Sequence, residues 1–123
     1  MAGFTLQDMI DFAKSDKQIK KSGGRIYSNS YSCPLKLDYN RDELRKDGNN
    51  IIYCLWDHPI ATLNIKTGDL LLDDCGYQSI TTKNRLNQII PKTYIYQNEG
   101  DWYIGDITQK WNGTYKTNIM EMI

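Results

Sequence analysis

The chain has 123 residues, with fifteen basic and fifteen acidic side chains and a formal net charge of zero. That length suits one domain, and the charge balance excludes a wholly basic nucleic-acid coat and an acidic disordered tail. Hydrophobic residues make up 40% of the chain and aromatic residues 11%, enough apolar surface for a core. Valine is absent and isoleucine takes over the β-branched role.

From the N-terminus, Phe4, Thr5 and Asp8 read as a hydrophobic staple and capping box opening a helix from about Leu6 to Ser15. Leu6, Met9, Ile10 and Ala13 recur along it at helical spacing. Lys14 to Arg25 is basic, and Ser22-Gly23-Gly24 breaks any helix there. This segment reads as a solvated linker or as a basic patch for phosphate or an acidic partner. Arg25-Ile26-Tyr27 and Leu35-Lys36-Leu37 look like short strands. Asp38 to Asn50 is polar and reads as an excursion, with a helical turn around Asp42 to Arg45. Ile51 to Trp56, Ile60 to Ile65 and Leu70 to Leu72 read as three antiparallel strands, the first two interrupted by Asp57-His58-Pro59. Trp56 is expected to cap a small core with its indole. After Asp73-Asp74-Cys75-Gly76-Tyr77, Thr81 or Thr82 is expected to cap a helix with Leu86, Ile89 and Ile90 on one face, ended by Pro91. Thr93 to Gln97 and Trp102 to Ile107 form a hairpin, and Asn112-Gly113 suggests a further small one.

The expected fold class is α+β: a small antiparallel sheet, a meander plus a C-terminal hairpin, with an N-terminal helix and a central helix packed on it. Residues 1–123 are expected to form a single domain. Its parts are a helix and basic linker at 1–24, the sheet with its central helix at 25–107, and a tail at 108–123.

Gly68 to Asn87 reads GDLLLDDCGYQSITTKNRLN. It resembles a group of small phage-encoded proteins of unassigned function that carry the pattern G-[GY/GW]-x-[ST]-x-T-T-K-x-R-[IL]-N. Gly76, Tyr77, Ser79, Thr81, Thr82, Lys83, Arg85, Leu86 and Asn87 match it. Cys75 departs from a common second glycine, and Gln78-Ser79 from a frequent Arg-Thr. The resemblance covers about residues 50–105; it implies a phage origin and a sheet-plus-helix fold, and no activity.

Thr81 and Thr82 offer hydroxyls at a helix start, where free N–H groups favour anions. Lys83 and Arg85 sit in the first turn, where the helix dipole disfavours cations. They are expected to meet either a bound phosphate or carboxylate, or a salt bridge to Asp69, Asp73 or Asp74. The cysteines, Cys33, Cys54 and Cys75, have no CxxC spacing and read as reduced, mostly buried thiols of a cytoplasmic protein. No signal peptide, membrane span, Walker loop, GxGxxG or zinc spacing occurs, so no cofactor or metal is expected. The first functional expectation is a non-enzymatic phage accessory protein that blocks a host protein or ribonucleoprotein complex, an anti-CRISPR inhibitor being its concrete form. The second is a single-stranded nucleic-acid module, with Lys17, Lys20, Lys21 and Arg25 for phosphates and Tyr27 and Tyr31 for stacking. The third is a metal-dependent nuclease built on Asp69, Asp73 and Asp74, whose acids more often are simply solvated.

Overall fold

A computed structural model describes residues 3–26, 37–105 and 109–123, with side chains throughout except at 22–26 and 37–41. The first helix, α1 (Leu6–Lys14), begins where expected. The Thr5 hydroxyl accepts from the Asp8 N–H, and the Asp8 carboxylate accepts from the Thr5 N–H. Its inward face buries Leu6, Met9, Ile10 and Phe12.

The main sheet has six strands, β1 (Ile19–Ile26), β2 (Leu37–Asp47), β3 (Asn50–Leu55), β4 (His58–Asn64), β5 (Asp69–Asp73) and β9 (Thr114–Asn118), adjacent in that order and all antiparallel. Period-two alternation sends Leu44, Ile51, Tyr53, Leu63, Leu70 and Leu72 into the core. The second helix, α2 (Ile80–Ile89), adds Leu86 and Ile89 to the same core. A second sheet follows α2: β6 (Ile95–Asn98), β7 (Asp101–Ile104) and β8 (Gln109–Lys110), again antiparallel. A 3-10 turn, Met120–Met122, closes the chain. The α+β class with a meander, a C-terminal hairpin and two packed helices is what the sequence led us to expect.

Five local readings change. The stretch read as a linker contains β1, an edge strand, and edge strands tolerate the lysines and glycines that a central strand would not. The polar excursion at 38–50 is mostly β2. Its inward positions hold Asp42 and Leu44, both buried, so only one apolar residue marks its alternation. The β3–β4 connection is a two-residue turn at Trp56-Asp57, with both residues left-handed (φ 48° and 65°). His58 and Pro59 already belong to β4, and Pro59 falls at the register shift beside Cys54, where the missing N–H is tolerated. Helix α2 is capped by Ser79, whose hydroxyl accepts from the Thr82 N–H at 3.1 Å, not by Thr81 or Thr82. The tail makes no hairpin of its own: β8 joins the small sheet and β9 the large one.

Candidate functional site

The structure divides the expected site residues into three groups. Lys17, Lys20 and Lys21 are exposed. In β1, Lys20 pairs with Leu44 and Lys21 with Glu43, so these two neighbours leave opposite faces of the sheet. Lys20 Nζ lies 5.6 Å from the centre of the Phe4 ring, and Lys21 Nζ 3.8 Å from the Glu43 carboxylate. The side chain of Arg25 and all of Tyr27, Tyr31 and Cys33 lie outside the described residues.

The second group is the helix-start motif. Arg85 is buried, and its Nε donates to Asp42 Oδ1 at 2.7 Å. The same oxygen accepts the Tyr53 hydroxyl at 2.7 Å, and the Tyr53 oxygen accepts the Phe4 N–H at 3.0 Å. Gly3 closes over this network. A Cβ there would sit 2.6 Å from Arg85 Cδ and 2.7 Å from the Tyr53 oxygen, and its φ is +91°; only glycine permits both. The expected salt bridge of Arg85 therefore exists, but to Asp42 on β2 rather than to Asp69, Asp73 or Asp74. Sequence spacing cannot reveal a partner brought in from the neighbouring sheet. Thr82 is buried with its hydroxyl 3.0 Å from that of Ser79. Thr81 and Lys83 are half-buried. Asn87 brackets β6, giving its amide to the Ile95 carbonyl and accepting the Ile95 N–H.

The third group is the acids around β5. Asp69 lies at the start of the strand and Asp73 at its end, so they do not converge. Asp74 is buried rather than solvated. It accepts from Trp111 Nε1 at 2.8 Å, the Gly76 N–H at 2.8 Å and Gln78 Nε2 at 3.2 Å. Gly76 has φ +82°, so its left-handed backbone is what lets the chain wrap this carboxylate. Among the described residues, no three His, Cys, Asp or Glu side chains gather as a metal site. Cys54 is buried and Cys75 half-buried, both as free thiols. Burial holds each above the ordinary thiol range, Cys75 further raised by Asp73 and Asp74, which suppresses thiolate chemistry.

What the sequence reading missed is an aromatic end to the large sheet. Trp56 is 50% exposed at the β3–β4 turn, not a core cap. At the same end, His58 opens β4 and its ring lies 4.6 Å from that of Tyr77, which is 56% exposed. Cys75 Sγ reaches the Pro59 carbonyl at 3.3 Å, fixing the loop that carries Tyr77 against β4. Ile80, 70% exposed, opens α2 just beyond. On one flank, Arg45 pairs with Asp57 at 2.7 Å and with Glu43. A tryptophan directly before Asp-His-Pro was the available signal, since a turn places its side chains outside the strand alternation.

No helix among the described residues is long and apolar enough to cross a membrane. No curated protein and no solved structure matches the chain. The family described as Kyanoviridae Gp96 protein matches residues 38–120, which take in the aromatic end and the buried Asp42 and Asp74 and leave out the lysines of β1. With more than half of its length so matched, the chain belongs to the Kyanoviridae Gp96 family of phage proteins.

Proposed function

We propose that this phage protein acts by binding and blocking a host macromolecule, without catalysis, through the end of the large sheet that carries Trp56, His58, Tyr77 and Ile80. A host-defence inhibitor of anti-CRISPR type is the concrete form. The observation that carries the reading is Trp56. A two-residue hairpin needs left-handed corners and commonly fills them with Asn-Gly. Placing an L residue there costs roughly 1–2 kcal/mol, and here a half-exposed indole occupies the corner. Strain of this kind held in a stable scaffold points to use. Tryptophan and tyrosine are the side chains that most often anchor protein interfaces, and a flanking charged pair supplies the polar rim.

Capture from a lysate of the phage host tests it. The protein should retain one partner at a fixed ratio, and Trp56→Ala should weaken that complex by roughly 30-fold or more while the fold is kept. The reading fails if no stoichiometric partner is recovered, or if Trp56→Ala and Tyr77→Ala both retain the partner fully.

A further inference from the structure

The small sheet carries a second feature that the aromatic end does not explain. Its inward positions hold Ile95, Trp102 and Ile104, all buried. Its opposite face holds Tyr96 and Tyr103, both half-buried, and the exposed Tyr94 directly precedes β6. Small antiparallel sheets ordinarily give such positions to charged or hydroxyl side chains, whereas here the rings form a row. Tyr94 and Tyr96 lie 5.7 Å apart, and Tyr96 and Tyr103 stack at 5.6 Å with 22° between their planes. Tyr96 pairs with Tyr103 and Tyr103 with Lys110, so one rung across all three strands reads Tyr, Tyr, Lys. Tyr94 ends the row, 55% exposed. Lys110 is also exposed, and its contact with Asp101 is long, 3.8 Å; an exposed pair of that kind is worth little and exchanges readily for another anion.

We infer that this face is a stacking platform for a short stretch of single-stranded nucleic acid. The exposed Tyr94 ring takes the π-face of an unpaired base, extending the row that Tyr96 and Tyr103 already form, and Lys110 takes one phosphate. A duplex keeps its base faces inside its own stack, so the row selects single strands. The zero net charge and the single cation on the rung set the electrostatic signature. One phosphate contact gives a shallow salt dependence, a loss of roughly two- to threefold between 50 and 200 mM salt. Binding through the β1 lysines instead would fall far more steeply.

Fluorescence anisotropy with labelled oligo-dT and oligo-U of about ten nucleotides tests this on the full chain, with a duplex of the same length as control. Micromolar binding to single strands is expected, with the shallow salt slope. Tyr94→Ala should weaken it roughly fivefold or more by loss of stacking, and Tyr103→Phe, which keeps the ring, should leave it nearly unchanged. Tyr94 is the more exposed end of the row, so its truncation keeps the fold, which circular dichroism verifies. Absence of binding up to about 100 μM overturns the inference at this salt range. So does equal binding to duplex, or binding that survives Tyr94→Ala and Tyr103→Ala but is lost on Lys20→Ala with Lys21→Ala, or a proline-rich peptide occupying the row in preference to the oligonucleotide. Trp56→Ala leaves this binding intact, so the platform and the aromatic end fail or stand separately.

Discussion

Two of the buried carboxylates, Asp42 and Asp74, are stabilised in opposite ways. Asp42, on β2, faces a guanidinium and a phenol: Arg85 and Tyr53 both meet its Oδ1 at 2.7 Å. Asp74, after β5, faces three neutral donors, an indole N–H, a backbone N–H and a side-chain amide. The first arrangement ties α2 to the middle of the large sheet. The second ties the large sheet to the small one, because the Asp74 N–H also donates to the Gly113 carbonyl and Trp111 packs 6.2 Å from Trp102. A charged pair demands that both partners be present, while a set of neutral donors loses its members one at a time. The two sites should therefore respond differently to single substitutions.

The largest effect is expected at the charged pair. Arg85→Leu takes the Arg85 guanidinium away from the buried Asp42 carboxylate, and urea denaturation should show a loss of about 3–5 kcal/mol. The double variant Asp42→Leu with Arg85→Leu should recover a large part of that loss, since a buried pair replaced by apolar side chains is often near neutral. If the double variant is as unstable as the sum of the two singles, the pair is not the unit that matters. At Asp74 the expected loss is smaller. Trp111→Phe removes one donor and keeps a ring against Trp102, so about 1–3 kcal/mol should go. A larger loss than at Arg85 would reverse the contrast.

Tyr53 sharpens the comparison through pH. Burial first, and then its hydrogen bond to Asp42, hold its phenol well above the usual tyrosine range. Below about pH 10 the phenol is neutral in both folded and unfolded chains. Above that, the unfolded chain ionises while the folded chain keeps its proton, so stability falls as pH rises, by up to about 1.4 kcal/mol per pH unit. Tyr53→Phe should be less stable at neutral pH, because the Phe4 N–H and Asp42 each lose a partner, and flatter above pH 10. An unchanged alkaline slope in Tyr53→Phe would place the titrating group elsewhere. Trp111→Phe, at the neutral site, should leave the slope as it is.

These two sites also mark how far the sequence could be read. The strands β3 to β5 were legible because Ile51, Tyr53, Leu63, Leu70 and Leu72 alternate within single segments, and α1 because its cap is local: Thr5 and Asp8 are three residues apart. Strand β2 was not legible, because the residue that makes its inward face compatible with a core, Arg85, is 43 positions away. Asp74 reads as solvated for the same reason, since Trp111 is 37 positions away. The aromatic end was half legible. Tyr77 stood out in a motif, but Trp56 reads as core by composition, and only the left-handed turn turns it outward. The tyrosine row depends on register, which places Tyr96 opposite Tyr103 and leaves no trace in either strand alone.

The smallest effect separates the cap of α2 from the hydroxyls beside it. Ser79 accepts the Thr82 N–H, and this cap sets the start of the helix that delivers Arg85 to Asp42 two turns on. Ser79→Ala should cost about 1 kcal/mol, because an N–H at the helix start loses its acceptor. Thr81→Ala, at a half-buried position that does not cap the helix, should change stability by no more than about 0.5 kcal/mol. The prediction bears on the charged site in a specific way. If the cap and the ion pair act as one unit, Ser79→Ala should cost much less in an Arg85→Leu background than alone, and a double-mutant cycle reads that difference directly. If the two losses simply add, helix start and ion pair are independent, and the stability of the Asp42 site resides in its immediate partners alone.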